Sequence, residues 1–302
     1  MSGKYRETCI LCGVQEFRRL FRAGSYAIVR CSNCGMVQTF PMDSHVDPDE
    51  FYNPECFRTL ERRMAHERMY QGRILDLIMR HKASGCMLEV GSGPGIFIEL
   101  ASSRGWKIEG IEPAAAAIRQ ISENVGIRVH QGTLESVDLS GKHFDVIVLR
   151  HVLEHMEAPK AALMKLGEWL RPNGLLCIAV PNFNGLHALV EKERWFHLSI
   201  PFHVAHYTPR TLRTLLDHCR FEILELKTFD LSCSSYFLLI ANLFMKFGSK
   251  GPADIHVSPL ETDPTRSLWH RLISKERYLN RWLAMLGLGD ELAVIGRKTF
   301  NP

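Results

Sequence analysis

Three glycines at alternate positions form the first group of residues that could do chemistry. Gly91, Gly93 and Gly95 follow the short apolar run Cys86–Val90, and a helix-like sequence begins at Ile96. Glycine lets a backbone turn sharply and lets a ligand approach it closely, and the free N–H groups at a helix start favour a nucleotide-like ligand. A dinucleotide-binding loop would need glycine at the position of Ile96. The pattern predicts a buried strand, a ligand-binding loop and a helix, with another nucleotide-binding fold or a plain structural turn as the alternatives.

Four cysteines form a second group, arranged as two C-x2-C pairs that are each followed by glycine. The pairs are Cys9 with Cys12 and Cys31 with Cys34. Two such turns can bring four thiolates to one point, which is the ligand set of a tetrahedral zinc site. Because four cysteines fill the coordination shell, we expect a structural zinc ion rather than a catalytic one. The alternative is two redox-active pairs.

Aromatic and histidine side chains are concentrated in a third group, near the middle of the chain. Seven of them fall within thirteen residues: Trp195, Phe196, His197, Phe202, His203, His206 and Tyr207. A segment of this kind, long and without hydrophobic periodicity, is typical of a binding loop or lid. We therefore treat residues 183–207 as a candidate substrate loop.

The elements that must position these groups alternate between strand and helix patterns. After the glycine loop, the sequence predicts strands at 106–112, 127–131, 144–149, 175–182, 221–226 and 291–298, helices at 114–124, 163–170 and 208–219, and a turn at 171–174. This alternation predicts an α/β fold, with a mostly parallel sheet and helices on both faces. Glu112 ends the second strand, twenty-one residues after Gly91. A carboxylate at such a strand end can accept both hydroxyls of a ribose.

Length and composition bound the organisation of the chain. Its 302 residues, 46% of them apolar, suffice for one large domain and a small additional one. We expect a zinc ribbon at 1–43, a linker and leading helix at 44–85, and a main domain at 86–302 with a helical insert at 231–288. A net charge of +4 is too small to indicate a nucleic-acid partner. We find no secretory signal and no apolar run of about 18 residues, so we expect a cytoplasmic protein without a transmembrane segment.

Five sequence blocks occur in the order found in the class I S-adenosylmethionine (SAM) methyltransferases. They span about residues 86–182 and read EVGSGPG, IEGIEP, GTLE, FDVIVLRHVLEH and LRPNGLLCIAVPN. The chain resembles that family here, and the resemblance implies a Rossmann-like, seven-stranded, mostly parallel sheet with an antiparallel last strand. It also implies SAM as cofactor, with Glu89 near its methionine end, the glycines packed against it and His151 near the sulfonium. The other expected cofactor contacts are Ser92, Glu112, Thr133, Glu135 and Arg150.

A second resemblance concerns the candidate substrate loop. The stretch RWFHLSIPFHVAHYTPRTL is similar to a segment in a subgroup of small-molecule methyltransferases that often carry an N-terminal zinc ribbon. There the segment lies over the active site and supplies a histidine–aromatic pair, and some members methylate nucleotide-linked sugars or natural-product scaffolds. This chain departs from the sugar C-methyltransferases, because Phe202 stands where they tend to have glutamate and because it is too short to hold their large C-terminal domain.

The histidines are the candidates for a general base, since the pKa of imidazole lies near neutrality. We order them His203, then His206, then His151, with Tyr207 positioning the acceptor. Buried structural histidines and a packing tyrosine are the alternative. The sequence thus predicts a SAM-dependent methyltransferase acting on a small-molecule hydroxyl, such as that of a sugar nucleotide or a natural product. Competing hypotheses are an RNA methyltransferase that grips RNA with its ribbon, and a non-catalytic SAM-binding protein. The apolar helix of the insert leaves a homodimer open.

Overall fold

The N-terminal part of the chain is a small antiparallel sheet. The computed structural model describes residues 8–41, 54–122, 127–229 and 282–299, and for residues 54–63 and 122 the backbone alone. The small sheet begins with β1 (Phe17–Ala23), β2 (Tyr26–Cys31) and β3 (Val37–Phe40). The strands β2 and β3 confirm two predicted extended segments. The sequence pattern missed β1, because three arginines interrupt its apolar residues.

A long helix, α1 (Pro54–Met79), leads into the main domain and confirms the predicted leading helix. The part of the predicted linker at 43–52 lies outside the described residues. The elements that follow are β4 (Cys86–Val90), α2 (Ile96–Ser103), β5 (Lys107–Glu112), α3 (Ala115–Ser122), β6 (Val129–Gln131), β7 (Phe144–Arg150), α4 (Pro159–Trp169), β8 (Leu170–Pro181), α5 (Leu186–Glu191), β9 (Ala205–His206), α6 (Pro209–His218), β10 (Phe221–Phe229) and β11 (Glu291–Lys298).

The main sheet has seven strands in the order β10-β11-β8-β7-β4-β5-β6. The central pairs β8–β7, β7–β4, β4–β5 and β5–β6 are parallel, whereas β11 runs antiparallel to both of its neighbours. This confirms the predicted mostly parallel, Rossmann-like sheet with one reversed strand. Because β4, β5, β7 and β8 are parallel, their carboxyl ends lie at one edge, where open α/β sheets bind ligands.

The sheet separates two hydrophobic cores. Successive side chains of a strand point to opposite faces. Leu88 and Val90 of β4 therefore join one core, which also contains Leu163 of α4 and Leu215 of α6. Met87 joins the other core, which also contains residues of α1 and α2: Ile74, Leu75, Ile78, Phe97 and Ile98. The buried apolar run of β4 fits a strand that is covered on both faces.

The ribbon sheet is completed by a strand from the main domain. The short strand β9 pairs antiparallel with β3, giving the order β1-β2-β3-β9. Cys9, Cys31 and Met36 of the ribbon also belong to the first main core. The ribbon therefore packs directly on the main domain.

In the second half of the chain, one prediction is wrong and another falls largely outside the described residues. The predicted turn at 171–174 is wrong: those residues lie within β8, which bulges against β7 between Leu170 and Leu175, and Asn173 adopts φ 59°. The turn-type residues are accommodated as a bulge because extended pairing resumes on both sides. Of the predicted insert at 231–288, the structure describes only residues 282–288, of which 282–285 are helical. Among the described helices, none is long and apolar enough to cross a bilayer.

Candidate active site

The glycine loop lies between β4 and α2 and has an all-left-handed glycine backbone. Gly91, Gly93 and Gly95 have φ of 71°, 52° and 85°. A Cβ atom on Gly91 would overlap a methyl group of Val152, and one on Gly95 would lie 2.6 Å from Cγ1 of Ile121. The loop therefore requires glycine both for its backbone conformation and for close packing. It confirms the predicted strand–loop–helix.

Glu89 and Arg150 form a buried ion pair beside this loop. Nε and Nη2 of Arg150 donate to Oε1 of Glu89 at 3.1 and 2.7 Å, and the guanidinium lies over the Phe97 ring at 4.9 Å. The Glu89 side chain is fully buried, and its Oε2 has no hydrogen-bond partner within the described parts of the chain. Burial raises the pKa of Glu89 to about 7, although Arg150 opposes the rise. Oε2 is thus a buried acceptor available to a donor from a ligand.

Glu112 closes over the glycine loop from the end of β5. Its Oε2 accepts a hydrogen bond from N–H of Gly93 at 2.7 Å, and its Oε1 accepts one from N–H of Ala114 at 3.0 Å. A carboxylate has about four lone-pair sites, so it can accept hydroxyl donors in addition. Nearby, the Oγ atom of Ser92 is buried and has no partner among the described residues.

Thr133 and Glu135 lie in the loop after β6 and are exposed. Their loop is joined to the end of β5, because Gly132 N–H donates to the Glu112 carbonyl at 3.0 Å. Thr133 forms a local turn with Ser136, whose N–H lies 3.4 Å from the threonine Oγ1. The carbonyl of Glu135 lies 3.4 Å from Nζ of Lys165. Both residues are thus at the predicted sheet edge, with side chains turned to solvent.

His151 follows β7 and lies between two buried carboxylates. Its Nδ1 is 3.3 Å from Glu154 Oε1, its Nε2 is 3.6 Å from Glu291 Oε2, and the Tyr70 hydroxyl is 3.5 Å from Nε2. Burial lowers the pKa of His151, but the charges of Glu291 and Glu154 outweigh it and raise the pKa to about 9. Its imidazole is therefore protonated at neutral pH.

His203 and His155 face Glu154 from the other side. Each donates its Nδ1–H to a backbone carbonyl, that of His197 at 2.8 Å for His203 and that of Phe202 at 2.9 Å for His155. In the neutral ring of His203, this places the lone pair on Nε2. Nε2 of His203 lies 3.9 Å from Glu154 Oε1. Burial lowers the pKa of His203 to about 4 despite the attraction of Glu154.

The structure places the other two predicted acceptor-side residues elsewhere. His206 lies in β9 against the ribbon, with its Nε2 2.9 Å from Oγ1 of Thr39, and burial lowers its pKa to about 3. Tyr207 is 1% exposed, and its hydroxyl lies 3.5 Å from the Leu153 carbonyl. Both side chains are thus buried and in contact with other parts of the protein, and their catalytic role stays a prediction.

Among the residues that the structure describes, two groups of side chains have the geometry to hold a metal ion. The four sulfur atoms of Cys9, Cys12, Cys31 and Cys34 lie within 4.8 Å of one another. Each pair is held in a tight turn, since Gly13 and Gly35 donate their N–H groups to the carbonyls of Cys9 and Cys31. The second group comprises one ligand atom each from Glu154, His155 and His203, again within 4.8 Å.

Comparison with known proteins decides the family. Residues 58–226, more than half of the chain, match the family described as methyltransferase domain. The chain belongs to the class I SAM-dependent methyltransferases. The glycine loop, Glu89 and Ser92 form a site, called here the cofactor cradle, that also fits SAM. The loop leaves no room for side chains at Gly91 and Gly95. Glu89 Oε2 and Ser92 Oγ are buried polar atoms without a hydrogen-bond partner within the described chain.

Similar proteins extend this result. Over 196 residues the methyltransferase is 28% identical to the ubiquinone biosynthesis O-methyltransferase of Rickettsia akari, covering 60% of this chain and 78% of the relative. The enzyme of the same name from Azorhizobium caulinodans is 28% identical over 126 residues, which are 37% of this chain and 50% of that protein.

Solved structures support the fold. A SAM-dependent methyltransferase from Archaeoglobus fulgidus superposes with a TM-score of 0.54 at 20% identity, covering 82% of this chain and 100% of that one. The N-methyltransferase NodS from Bradyrhizobium japonicum, solved with S-adenosylhomocysteine (SAH), gives a TM-score of 0.50 at 15% identity, with coverages of 84% and 100%.

Sequence reasoning missed several residues of this site. Glu154 lies inside the block FDVIVLRHVLEH, three residues after His151. Tyr70 and Glu291 carried no local signal, because they lie in α1 and at the start of β11, each more than eighty residues from His151. Tyr70 and Glu291 come close to His151 only in the folded structure.

The glycine loop yields a first prediction. In Gly91→Ala the new methyl group would overlap Val152 while the residue keeps a left-handed backbone, so we expect SAH affinity to fall about tenfold or more in calorimetry. Gly141→Ala is the matched control, because Gly141 has φ 84° with open space around it. It should lose about 1 kcal/mol of stability and keep its SAH affinity. Equal loss of SAH affinity in both variants would contradict the binding of SAH against the glycine loop.

Proposed function

We propose that the enzyme transfers a methyl group to a hydroxyl of a small molecule, such as a sugar nucleotide or a natural product, and that His203 is the general base. The observation that carries this proposal is the buried imidazole of His203, whose Nδ1 donates to the His197 carbonyl at 2.8 Å while Nε2 lies 3.9 Å from Oε1 of Glu154. A neutral ring with a directed lone pair can accept a proton. The imidazolium so formed would lie beside the buried Glu154 carboxylate, which would stabilise it.

The cofactor side follows from the buried acceptors. Glu89 Oε2 suits the ammonium group at the methionine end of SAM, and Arg150 holds that carboxylate in place. The glycine loop and Ser92 lie against the cofactor, and Glu112 accepts the ribose hydroxyls. Thr133 and Glu135 border the adenine. When bound, SAM supplies a methyl group on a sulfonium as the electrophile.

His151 has a different role in this proposal. With a pKa of about 9 it carries a proton at neutral pH, so it donates hydrogen bonds and does not take up a proton. It is held between Glu154 and Glu291, at the end of the strand that also supplies Arg150. A cation at that place can orient an acceptor oxygen through N–H donation. His206 and Tyr207 support the loop instead.

The relatives favour oxygen as the acceptor atom. Both curated relatives described above are named O-methyltransferases, and ubiquinone biosynthesis involves small molecules. This chain spans half the length of one of them and 78% of the other. A hydroxyl acceptor is also consistent with a general base in the site, because a neutral hydroxyl oxygen must lose its proton as it is methylated.

The base assignment yields the second prediction. We would measure SAH release with a panel of sugar nucleotides and phenolic natural products, using the wild-type protein, His203→Gln and His143→Gln. His143 is an exposed histidine and serves as the control. We expect turnover with at least one acceptor, a kcat reduced about a hundredfold or more in His203→Gln, and unchanged SAH affinity. The His143→Gln variant should behave like the wild type.

Two outcomes would contradict this assignment. One is a His203→Gln variant with wild-type kcat. The other is turnover that a chelator abolishes and one added divalent cation restores, while the cobalt–thiolate bands of the four cysteines persist throughout and SAH binding is unaffected. That result would mean that Glu154, His155 and His203 hold a metal ion, and that the ion rather than the imidazole activates the acceptor.

We also propose that Cys9, Cys12, Cys31 and Cys34 hold a structural zinc ion. The third prediction is that the purified protein contains about one zinc per chain and that cobalt substitution gives thiolate-to-cobalt charge-transfer bands in the near ultraviolet. Cys12→Ser should weaken these bands and the metal affinity. Cys219→Ser, which changes a half-buried thiol outside the ribbon, should not. Cobalt-loaded protein without thiolate bands would contradict the site.

A further inference from the structure

The ribbon and the histidine loop share one set of backbone hydrogen bonds. Val37 pairs with His206 and Gln38 with Ala205, in an antiparallel register between β3 and β9. The N–H of Thr39 continues the contact by donating to the Val204 carbonyl at 3.0 Å. The edge strand of the ribbon therefore holds the loop segment that directly follows His203.

The hydroxyl of Thr39 adds two contacts at the same place. It donates to the His203 carbonyl at 2.7 Å and lies 2.9 Å from Nε2 of His206. A hydroxyl has a single proton, so His206 must donate its Nε2–H to the threonine oxygen. Thr39 is 1% exposed, so water cannot replace either contact. One buried side chain of the ribbon thus fixes both the backbone of His203 and the ring of His206.

The cysteine turns are connected to this strand. The N–H of Ile10, which lies between Cys9 and Cys12, donates to Oε1 of Gln38 at 3.1 Å, and Gln38 is fully buried in β3. The second cysteine turn leads into the same strand, since Cys31 N–H donates to the Met36 carbonyl at 2.8 Å. The geometry of both cysteine pairs is therefore transmitted to β3 through short hydrogen-bonded links.

Packing on both faces of the ribbon sheet reinforces the connection. On one face, Ile28 and Val37 form a hydrophobic cluster with three residues of the substrate loop, namely Phe183, Trp195 and Leu198. On the other face, Cys9 and Met36 belong to the core that also contains Val204 and Ala205. The loop is held between ribbon and main domain, so disorder in the ribbon would release it.

We infer that the ribbon is a positioning element for the acceptor side of the active site, and that Thr39 is the positioning residue that sets the placement of His203. Loss of the Thr39 hydroxyl or of the metal in the cysteine turns would free the loop without disturbing the cofactor cradle. This inference rests on the proposed roles of His203 and of the four cysteines. Apart from the bond between Ile10 and Gln38 within the ribbon, the hydrogen bonds of β3 described above run to residues 203–206, and none of them runs to the glycine loop.

The fourth prediction tests the inference with Thr39→Val, which keeps the shape of the side chain and removes both hydrogen bonds, and Thr39→Ser, which restores the hydroxyl. Thr228→Val is the matched control, because Thr228 is also buried and also donates to a backbone carbonyl, that of Ala284 at 2.7 Å. The loop is monitored by the rate of tryptic cleavage after Lys192 and Arg194, which are exposed within it. SAH affinity and kcat are measured on the same full-length proteins.

We expect Thr39→Val to be cleaved at these two sites about tenfold faster than the wild type, since cleavage follows the population of the opened loop. Its kcat should fall more than its KM rises, its SAH affinity should stay unchanged, and Thr39→Ser should recover most of the difference. The Thr228→Val control should be cleaved at the wild-type rate. Zinc-depleted wild-type protein, freed of chelator before the protease is added, should resemble Thr39→Val.

Several results would overturn the inference. Wild-type cleavage in Thr39→Val would show that Thr39 does not hold the loop, even if turnover fell. Wild-type cleavage in zinc-depleted protein would show that the metal is not part of the mechanism. Faster cleavage of Thr39→Val, together with a wild-type enzyme inactive on every acceptor, would support the positioning role of Thr39 and contradict the proposed hydroxyl chemistry instead.

Discussion

Buried carboxylates at the carboxyl edge of the main sheet are the constraint on which the rest of the site depends. Glu89, Glu112, Glu154 and Glu291 are each at most 3% exposed. A buried carboxylate is costly unless it is hydrogen-bonded or paired, so each needs a partner from another element. Arg150 of β7 pairs with Glu89, backbone amides of the glycine loop and of Ala114 donate to Glu112, and imidazole groups lie beside Glu154 and Glu291. These pairings hold the ends of β4, β5, β7 and β11 in place relative to one another.

The four buried carboxylates have different kinds of partner, and this difference divides the site into two halves. Beside the glycine loop, the paired carboxylate of Glu89 keeps one oxygen without a partner among the described residues, and we propose that this oxygen accepts the ammonium group of SAM. On the acceptor half, two carboxylates keep His151 protonated, while burial keeps His203 neutral. Two imidazoles near one carboxylate thereby acquire opposite protonation states, which is the usual means of separating acid and base roles. The ribbon joins this arrangement by supplying the edge strand and the hydroxyl that hold the loop carrying His203.

The sequence predicted those features of the fold and site that depend on local patterns of residues. The strand, glycine loop and helix around Gly91–Gly95, the ribbon cysteines and the reversed strand β11 all followed from spacing, periodicity or resemblance. The partners of the key groups did not, because they are distant in the chain: Thr39 meets His203 across 164 positions. The sequence ranked His203 ahead of His206 but did not predict their different surroundings, since both lie in one aromatic-rich segment. Only the pairing of β9 with β3 assigns one to the ribbon and leaves the other facing Glu154.

The most direct test of this account is calorimetry of SAH binding between pH 6 and pH 8, with wild-type protein and Glu89→Gln. Burial raises the pKa of Glu89 to about 7, and in the proposed complex the ammonium group of SAH would prefer the ionised carboxylate. The wild-type affinity should therefore rise about tenfold as pH increases across this range. Glu89→Gln should bind weakly and lose the dependence, whereas Glu168→Gln, an exposed change in α4, should keep it. A wild-type affinity that is flat with pH, or an equal slope in Glu89→Gln, would contradict the account.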